Sequence, residues 1–168
     1  IFIFFFIFFY FQKYFYIFKI IIFLMLVVGL LSDINRLNSP SKRILFQTII
    51  VCFFVFIENL YIRSLSLDFF DELLKFKTLN FLLTVFCFLI LINGSNFIDG
   101  LNGLASGMAS VTLLAFSFIA LQNDIIIFSN ILFSLSMIVF GFFLVNIFSG
   151  QIFLGDGGSY FIGALVAW

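Results

Sequence analysis

Long apolar runs alternate with short polar breaks along this chain of 168 residues. A helix that spans a bilayer needs about 20 mostly apolar residues. By that rule the pattern predicts membrane spans near residues 1–11, 16–31, 44–62, 79–93, 104–121, 125–147 and 159–168. The first and last runs meet the chain ends, so we expect one transmembrane domain over residues 1–168 that is truncated at both ends.

The composition strengthens this interpretation. The chain is 64% hydrophobic and 10% charged, whereas a soluble domain is about 45–50% apolar and about 25% charged. Lipid must therefore cover much of the apolar surface, and we predict an all-α, polytopic transmembrane helix bundle. The net charge is zero and no basic patch is present, which argues against nucleic acid as a partner. Cys52 and Cys87 lie inside apolar runs without metal-ligand spacing, so we interpret both as packing residues.

Three of the polar breaks carry one aspartate each. Asp33 lies in SDINRLNSPSKR, Asp99 in NGSNFIDGLNG and Asp156 in FSGQIFLGDGGS. Because each span crosses the membrane once, alternate connections share a side, and these three fall on the same side. We therefore expect the three carboxylates to converge. Lysine and arginine are divided between both sides, so the positive-inside rule does not identify the cytoplasmic face.

The chemistry of these breaks suits phosphate and a divalent cation. Glycines around Asp156 allow backbone amides to approach an anionic oxygen, and a carboxylate is a hard ligand for Mg²⁺. The G-K-[ST] ending of an ordinary phosphate-binding loop is absent. Asn96 and Asp99 are three residues apart, so a helical turn would place both on one face. Together with Asp156 they offer oxygens for one Mg²⁺ shared with phosphates.

Each of these features also has a simpler interpretation. Gly103 and Gly107 form a GxxxG pair, which in membranes often indicates close helix packing. Asp99 could be a helix cap and Asp156 a turn residue. Arg43, with its neighbouring lysine, could anchor lipid headgroups. A transporter with broken helices around a midplane site is a further alternative.

Three motifs resemble those of the polyprenyl-phosphate N-acetylhexosamine-1-phosphate transferases, a glycosyltransferase family 4 group related to phospho-MurNAc-pentapeptide transferase. The motifs are LLSDINRLNSPSKRILFQ, NGSNFIDGLNGLASG and NIFSGQIFLGDGGS. The resemblance implies transfer of a sugar-1-phosphate from a UDP-N-acetylhexosamine to polyprenyl (undecaprenyl) phosphate, with release of UMP. It also implies Mg²⁺, a site facing the cytoplasm from the bacterial inner membrane, and a role in cell-envelope polysaccharide biosynthesis. The second motif looks closer to the N-acetylhexosamine branch than to the muropeptide branch, which remains the alternative.

The resemblance further implies roles for individual residues. Asp156 and Asn96 match metal ligands, and Asp33, Asp99 and Arg43 match catalytic positions. The expected substrate-binding residues, several of them around the uridine, are Asn93, Asn102, Asn146 and Phe153.

One departure concerns the first motif. The family usually has two aspartates at the end of the first span of the motif set, where this chain has Ser32 and Asp33. The missing aspartate is often proposed to deprotonate the lipid phosphate. A phosphate monoester with a second pKa of about 6 is already mostly ionised near neutral pH, so one alternative is that such a base is dispensable. Otherwise Asp33 takes the role, or the protein is a degenerate homologue. The motifs do not cover the N-terminal spans and the histidine-containing loop that the family carries elsewhere, and they leave the sugar and a homodimer undetermined.

Overall fold

The computed structural model describes residues 16–150 and 152–168. This part of the chain forms seven α-helices and no strand, as the all-α prediction requires. The helices are α1 Tyr16–Asp33, α2 Pro40–Glu58, α3 Asp68–Leu74, α4 Lys77–Ile98, α5 Leu104–Gln122, α6 Ile126–Ser149 and α7 Gly155–Ala167. The predicted span at 1–11 lies outside the described residues.

Five of these helices, α1, α2, α4, α5 and α6, are long and apolar enough to cross a membrane. Their outer faces carry large apolar side chains in positions that a bilayer would cover. Phe53 and Phe56 on α2, for example, are 67% and 71% exposed. The protein is therefore a multi-pass membrane protein, with α3 as a short helix in the connection between α2 and α4.

Several helix ends differ from the predicted ones, and the largest differences are in α2, α4 and α7. Helix α2 begins at Pro40 rather than near residue 44, since proline suits the first turn of a helix, and it ends at Glu58 before Asn59 in the left-handed conformation. Helix α4 continues to Ile98, whereas the sequence predicted its end at 93. Residues 93–98, the first part of the polar run, are thus helical. Asn93 and Asn96 can lie in a helix there because their side chains donate to Gln47 and Asp156 on neighbouring helices.

Helices α5 and α6 form an antiparallel hairpin joined by two pairs of buried serines. The hydroxyls of Ser110 and Ser136 approach each other's main-chain carbonyls at 3.2 and 2.8 Å. Two turns further along, Ser117 and Ser129 do the same at 3.0 and 2.9 Å. Small side chains let these helices approach closely, and the hydroxyls satisfy one another inside the membrane. At the other end of the hairpin, the Phe143 ring lies against Gly103 and Gly107, so the GxxxG pair leaves room for a side chain and not for the close approach of a helix backbone.

Helix α7 packs between α1 and α4 at two glycines. A Cβ atom at Gly29 of α1 would stand 2.4 Å from the carbonyl oxygen of Asp156, and one at Gly163 of α7 would stand 2.6 Å from the Cα of Ile92. These close approaches hold the start of α7 beside the end of α1. As a result, the α1–α2, α4–α5 and α6–α7 connections meet at one end of the bundle, as the alternation of spans predicted.

Candidate functional site

Asp156 is the centre of a polar cluster formed by four helices. Its Oδ2 accepts hydrogen bonds from Ser32 Oγ of α1 and from Arg43 Nη1 of α2, both at 2.5 Å, and Arg43 also donates to Ser32 at 3.0 Å. Its Oδ1 accepts from Asn96 Nδ2 of α4 at 2.7 Å. The side chain therefore holds together residues from all three sequence motifs. Arg43 and Asp156 are each 22% exposed, so their ion pair is accessible to water at the edge of the bundle.

Asp33 binds the start of α7 through the main chain. Its Oδ1 accepts from the amide of Asp156 at 2.9 Å and its Oδ2 from the amide of Gly157 at 3.0 Å. The first amides of a helix lack partners within the helix, and the positive end of the helix dipole favours a carboxylate. Gly155, at φ +63, admits the carboxylate because a Cβ there would stand 2.9 Å from Asp33 Oδ2. Asp33 therefore fixes the backbone that presents the Asp156 side chain.

Asn96 and Ser159 support the other side of Asp156. Asn96 Nδ2 donates to Ser159 Oγ at 2.9 Å as well as to Asp156. Ser159 lies one turn after Asp156 on α7, is fully buried, and donates to the Asp156 carbonyl at 3.2 Å. This arrangement holds the amide of Asn96 against the carboxylate.

Asp99 follows the last residue of α4 and is half-buried next to this cluster. Burial, with the negative charges of Asp156 and Asp33 adding to it, raises the pKa of Asp99 to about 6. The three aspartates predicted to converge are thus close enough for their charges to interact.

The residues predicted to bind uridine lie in or next to the α4–α5 and α6–α7 connections. Asn146, buried near the end of α6, accepts from the Gly103 amide and donates to the Ile152 carbonyl, so it ties the α4–α5 connection to the α6–α7 connection. Asn102 is exposed beside Gly150, where a Cβ would stand 3.3 Å from its Nδ2. Phe153 is 66% exposed and lines an apolar cavity.

Asn93 lies one turn deeper in the bundle than Asn96. Its Nδ2 donates to Gln47 Oε1 of α2 at 2.8 Å and to the Leu89 carbonyl of its own helix at 2.9 Å. The sequence patterns predicted no role for Gln47, for Ser159 or for the Ser32 hydroxyl. The signal for Gln47 was present, since it interrupts the apolar run ILFQTIIV.

The donor set fits a magnesium ion that is shared with a substrate. No group of three or more carboxylate, histidine or cysteine side chains within residues 16–150 and 152–168 could hold a metal ion by itself. Mg²⁺, however, usually takes only one or two protein oxygens and completes its shell with water and phosphate. The Asp156 carboxylate and the Asn96 side-chain carbonyl can supply that number, at an edge where phosphates can approach.

The fold and the cluster together define a class: a multi-pass, all-α membrane protein with an acidic, phosphate-compatible site at one end of its spans. Comparison with known proteins gives the family. The glycosyl transferase family 4 model matches residues 14–168, and the chain belongs to that family.

Relatives of two activities are similar to this chain. It is 30% identical over 145 residues, 84% of this chain and 39% of the relative, to a probable undecaprenyl-phosphate N-acetylglucosaminyl 1-phosphate transferase of Bacillus subtilis. It is 32% identical over 152 residues, 84% of this chain and 45% of the relative, to the phospho-N-acetylmuramoyl-pentapeptide-transferase of Streptococcus suis. The enzyme of that second name from Prochlorococcus marinus strain MIT 9515 is 34% identical over 139 residues, 79% of this chain and 38% of the relative. The chain thus spans less than half the length of these relatives.

Proposed function

We propose that the protein transfers an N-acetylhexosamine-1-phosphate from a UDP-sugar to polyprenyl phosphate and releases UMP. The observation that carries this proposal is the arrangement around Asp156. A carboxylate, an amide and a guanidinium from three motifs meet at the edge of a membrane bundle that belongs to glycosyl transferase family 4. Such a site can accept a charged diphosphate from water and a lipid phosphate from the bilayer.

The reaction we propose is a displacement at phosphorus. An oxygen of the polyprenyl phosphate forms a bond to the β-phosphorus of the UDP-sugar, and the bond from that phosphorus to the oxygen it shares with the α-phosphorus breaks. UMP leaves with that oxygen. Positioning and electrostatic stabilisation dominate catalysis of this reaction class. Asp156 and Asn96 would hold Mg²⁺, which neutralises diphosphate charge when it is bound.

The remaining residues have roles that follow from their contacts. Arg43 can turn from Asp156 to a phosphate oxygen, for which its planar guanidinium is well suited. Asp33 keeps the Asp156 backbone in place through two amides, so we assign it a positioning role rather than that of a base. Asp99 would add a negative charge near the Mg²⁺ ion when that ion is bound. The lipid phosphate needs no base, because it is already mostly ionised near neutral pH.

We place the uridine near the α4–α5 and α6–α7 connections. Phe153 offers an exposed ring for stacking and Asn102 an exposed amide. Asn146 would act by fixing the loops that carry these two side chains. The site would face the cytoplasm from the bacterial inner membrane, where a water-soluble nucleotide sugar can reach it.

A second candidate substrate is the UDP-linked MurNAc-pentapeptide. The observation in its favour is that relatives named phospho-N-acetylmuramoyl-pentapeptide-transferase match 79% and 84% of this chain. The proposed chemistry at phosphorus is the same for both substrates, so a competition assay with the two nucleotide sugars decides between them.

Removing either proposed metal ligand tests the assignment. In the full-length protein, we expect Asp156→Ala to reduce transfer of radiolabelled N-acetylhexosamine phosphate into lipid at least a hundredfold, and Asn96→Ala to reduce it about tenfold to a hundredfold, because ligand oxygens are lost. Asp124→Ala and Asn123→Ala, at the opposite end of the bundle, are matched controls that should retain activity. Near-normal transfer by Asp156→Ala would show that the metal assignment is wrong.

A further inference from the structure

Gln47 is a polar side chain in an apolar helix for which the proposed chemistry has no direct use. It lies on α2, is fully buried, and its Oε1 accepts a hydrogen bond from Asn93 Nδ2 of α4 at 2.8 Å. A buried amide costs free energy unless it is hydrogen-bonded, and an apolar side chain of similar size would fill the same space. The contacts of Gln47, and their position relative to Asp156, indicate its role.

Gln47 and Asn93 connect α2 and α4 one turn deeper in the bundle than the hydrogen bonds of Arg43 and Asn96 to Asp156. Gln47 follows Arg43 by four residues on α2, and Asn93 precedes Asn96 by three residues on α4. Residues three or four apart lie on the same helix face. Helices α2 and α4 are therefore bridged twice, at the edge through Asp156 and inside the bundle through the Gln47–Asn93 hydrogen bond. The inner bridge fixes how far one helix can slide or rotate against the other.

A third helix meets Gln47 on another side. Arg43 Nε and Gln47 Nε2 are both buried, and the Tyr160 hydroxyl of α7 interacts with the side chains of both residues. Gln47 therefore lies between α4 and α7, the helices that carry Asn96 and Asp156.

We propose that Gln47 is a positioning residue that sets the register of α2 against α4, so that Arg43 and Asn96 meet Asp156 from opposite sides. This rests on the proposed function, since the geometry it controls is that of the proposed metal and phosphate site. Gln47 acts through Asn93 and touches neither the substrates nor the ion.

The test replaces Gln47 with leucine in the full-length protein. We expect Gln47→Leu to lower kcat and the affinity for Mn²⁺ alone about tenfold each, the lower end of the effect of removing a side chain that orients metal ligands. The KM for the nucleotide sugar should change less than twofold. The melting temperature should fall only slightly, because Asn93 Nδ2 loses Gln47 as an acceptor but keeps the Leu89 carbonyl. Thr48→Val is the matched control, because Thr48 is the next residue and its hydroxyl donates only to its own helix.

An exchange of the two amides distinguishes positioning from simple packing. Gln47→Asn shortens the bridge and should reproduce the loss of Mn²⁺ affinity. Adding Asn93→Gln restores the combined length of the bridge and should recover at least half of that loss. If the exchange recovers nothing, or if Gln47→Leu matches the wild type in both kcat and Mn²⁺ affinity, the proposal is overturned.

The Mn²⁺ measurement separates this proposal from the proposed function. A wild-type protein that transfers no sugar phosphate, but whose Mn²⁺ affinity falls in Gln47→Leu, would refute the function and support the positioning role. A wild-type protein that transfers sugar phosphate and is unaffected by Gln47→Leu would support the function and refute the positioning role. Should Gln47→Leu fail to accumulate in the membrane, the amide exchange provides the decisive result.

Discussion

At the scale of single residues, Asp156 is the centre of the site, and Ser32 hydrogen-bonds both to it and to Arg43. The hydroxyl of Ser32 donates to Asp156 and accepts from Arg43, so it shares in the ion pair without adding charge. An aspartate in its place would put a second negative charge beside the carboxylate and compete for Arg43. With serine at position 32, the hydrogen bonds to Asp156 and Arg43 are all made, and the cluster carries one negative charge fewer than it would with aspartate.

We predict that the protein is active with serine at position 32. We expect Ser32→Ala to lower transfer about threefold to tenfold, because one hydrogen bond to a charged group is lost. We expect Ser32→Asp to bind Mn²⁺ more tightly, because it adds a hard ligand beside Asp156. Both are measured by lipid-linked product and by Mn²⁺ titration of the full-length protein, with Ser66→Ala in the α2–α3 connection as the control. Activity that appears only in Ser32→Asp would instead identify a degenerate homologue.

The sequence predicted the convergence of Asp33, Asp99 and Asp156, because alternation of spans places their breaks on one side. It could not predict what each carboxylate contacts. Asp33 binds main-chain amides of α7, and no sequence motif distinguishes that capping role from a catalytic one. Gln47 was missed for a related reason. A single amide within an apolar run gains its meaning only from the residue on the facing helix.

At the scale of helices, the site depends on how closely α7 approaches α1. The Asp156 carbonyl lies against Gly29, in the last third of α1, and no side chain fits between them. This approach allows Asp33 at the end of α1 to reach the first amides of α7. Small residues at membrane helix contacts commonly permit such approach. The close packing of the two helices and the orientation of Asp156 are thus coupled.

Gly29→Ala tests that coupling. A Cβ atom would stand 2.4 Å from main-chain atoms of Asp156 and Gly157, so α7 must move. We expect a loss of about 1–3 kcal/mol in stability from overpacking, together with a loss of transfer larger than stability alone explains. Gly141→Ala on α6 is the matched control, because outside its own stretch of helix no atom of the described residues lies within 4 Å of the added methyl group. Thermal unfolding and transfer are measured on the same preparations. Equal stability and equal transfer in the two variants would contradict the proposed packing.

The apolar pattern predicted the spanning helices well, but their ends less well. Helix α4 continues through Asn93 and Asn96 because Gln47, Asp156 and Ser159 satisfy their amides, and these partners are distant in sequence. Helix α7 begins at Gly155, earlier than the apolar run, because Asp33 caps it from another helix. The local apolar pattern does not predict a helix end correctly where hydrogen bonds from other helices satisfy the polar groups that water would otherwise satisfy.

At the scale of the whole molecule, the positions of the charges favour an enzyme at the membrane surface over a transporter. Asp33 is the last residue of α1, Asp99 follows α4, and Asp156 is in the first turn of α7. A transport site at the midplane would need such groups in the middle of its spans or in broken helices. Here the five spanning helices bring their polar ends together at one boundary, as the proposed reaction between a soluble nucleotide sugar and a lipid phosphate requires.

The most direct test of the proposed reaction follows where the β-phosphate of the nucleotide sugar goes. The full-length protein is incubated with polyprenyl phosphate and a UDP-N-acetylhexosamine that carries ³²P in the β-phosphate and ¹⁴C in the sugar. Because the proposed displacement occurs at the β-phosphorus, both labels should enter the lipid in equal molar amounts while UMP is released. Entry of ¹⁴C alone with release of UDP, or the absence of both labels from the lipid, would contradict the account.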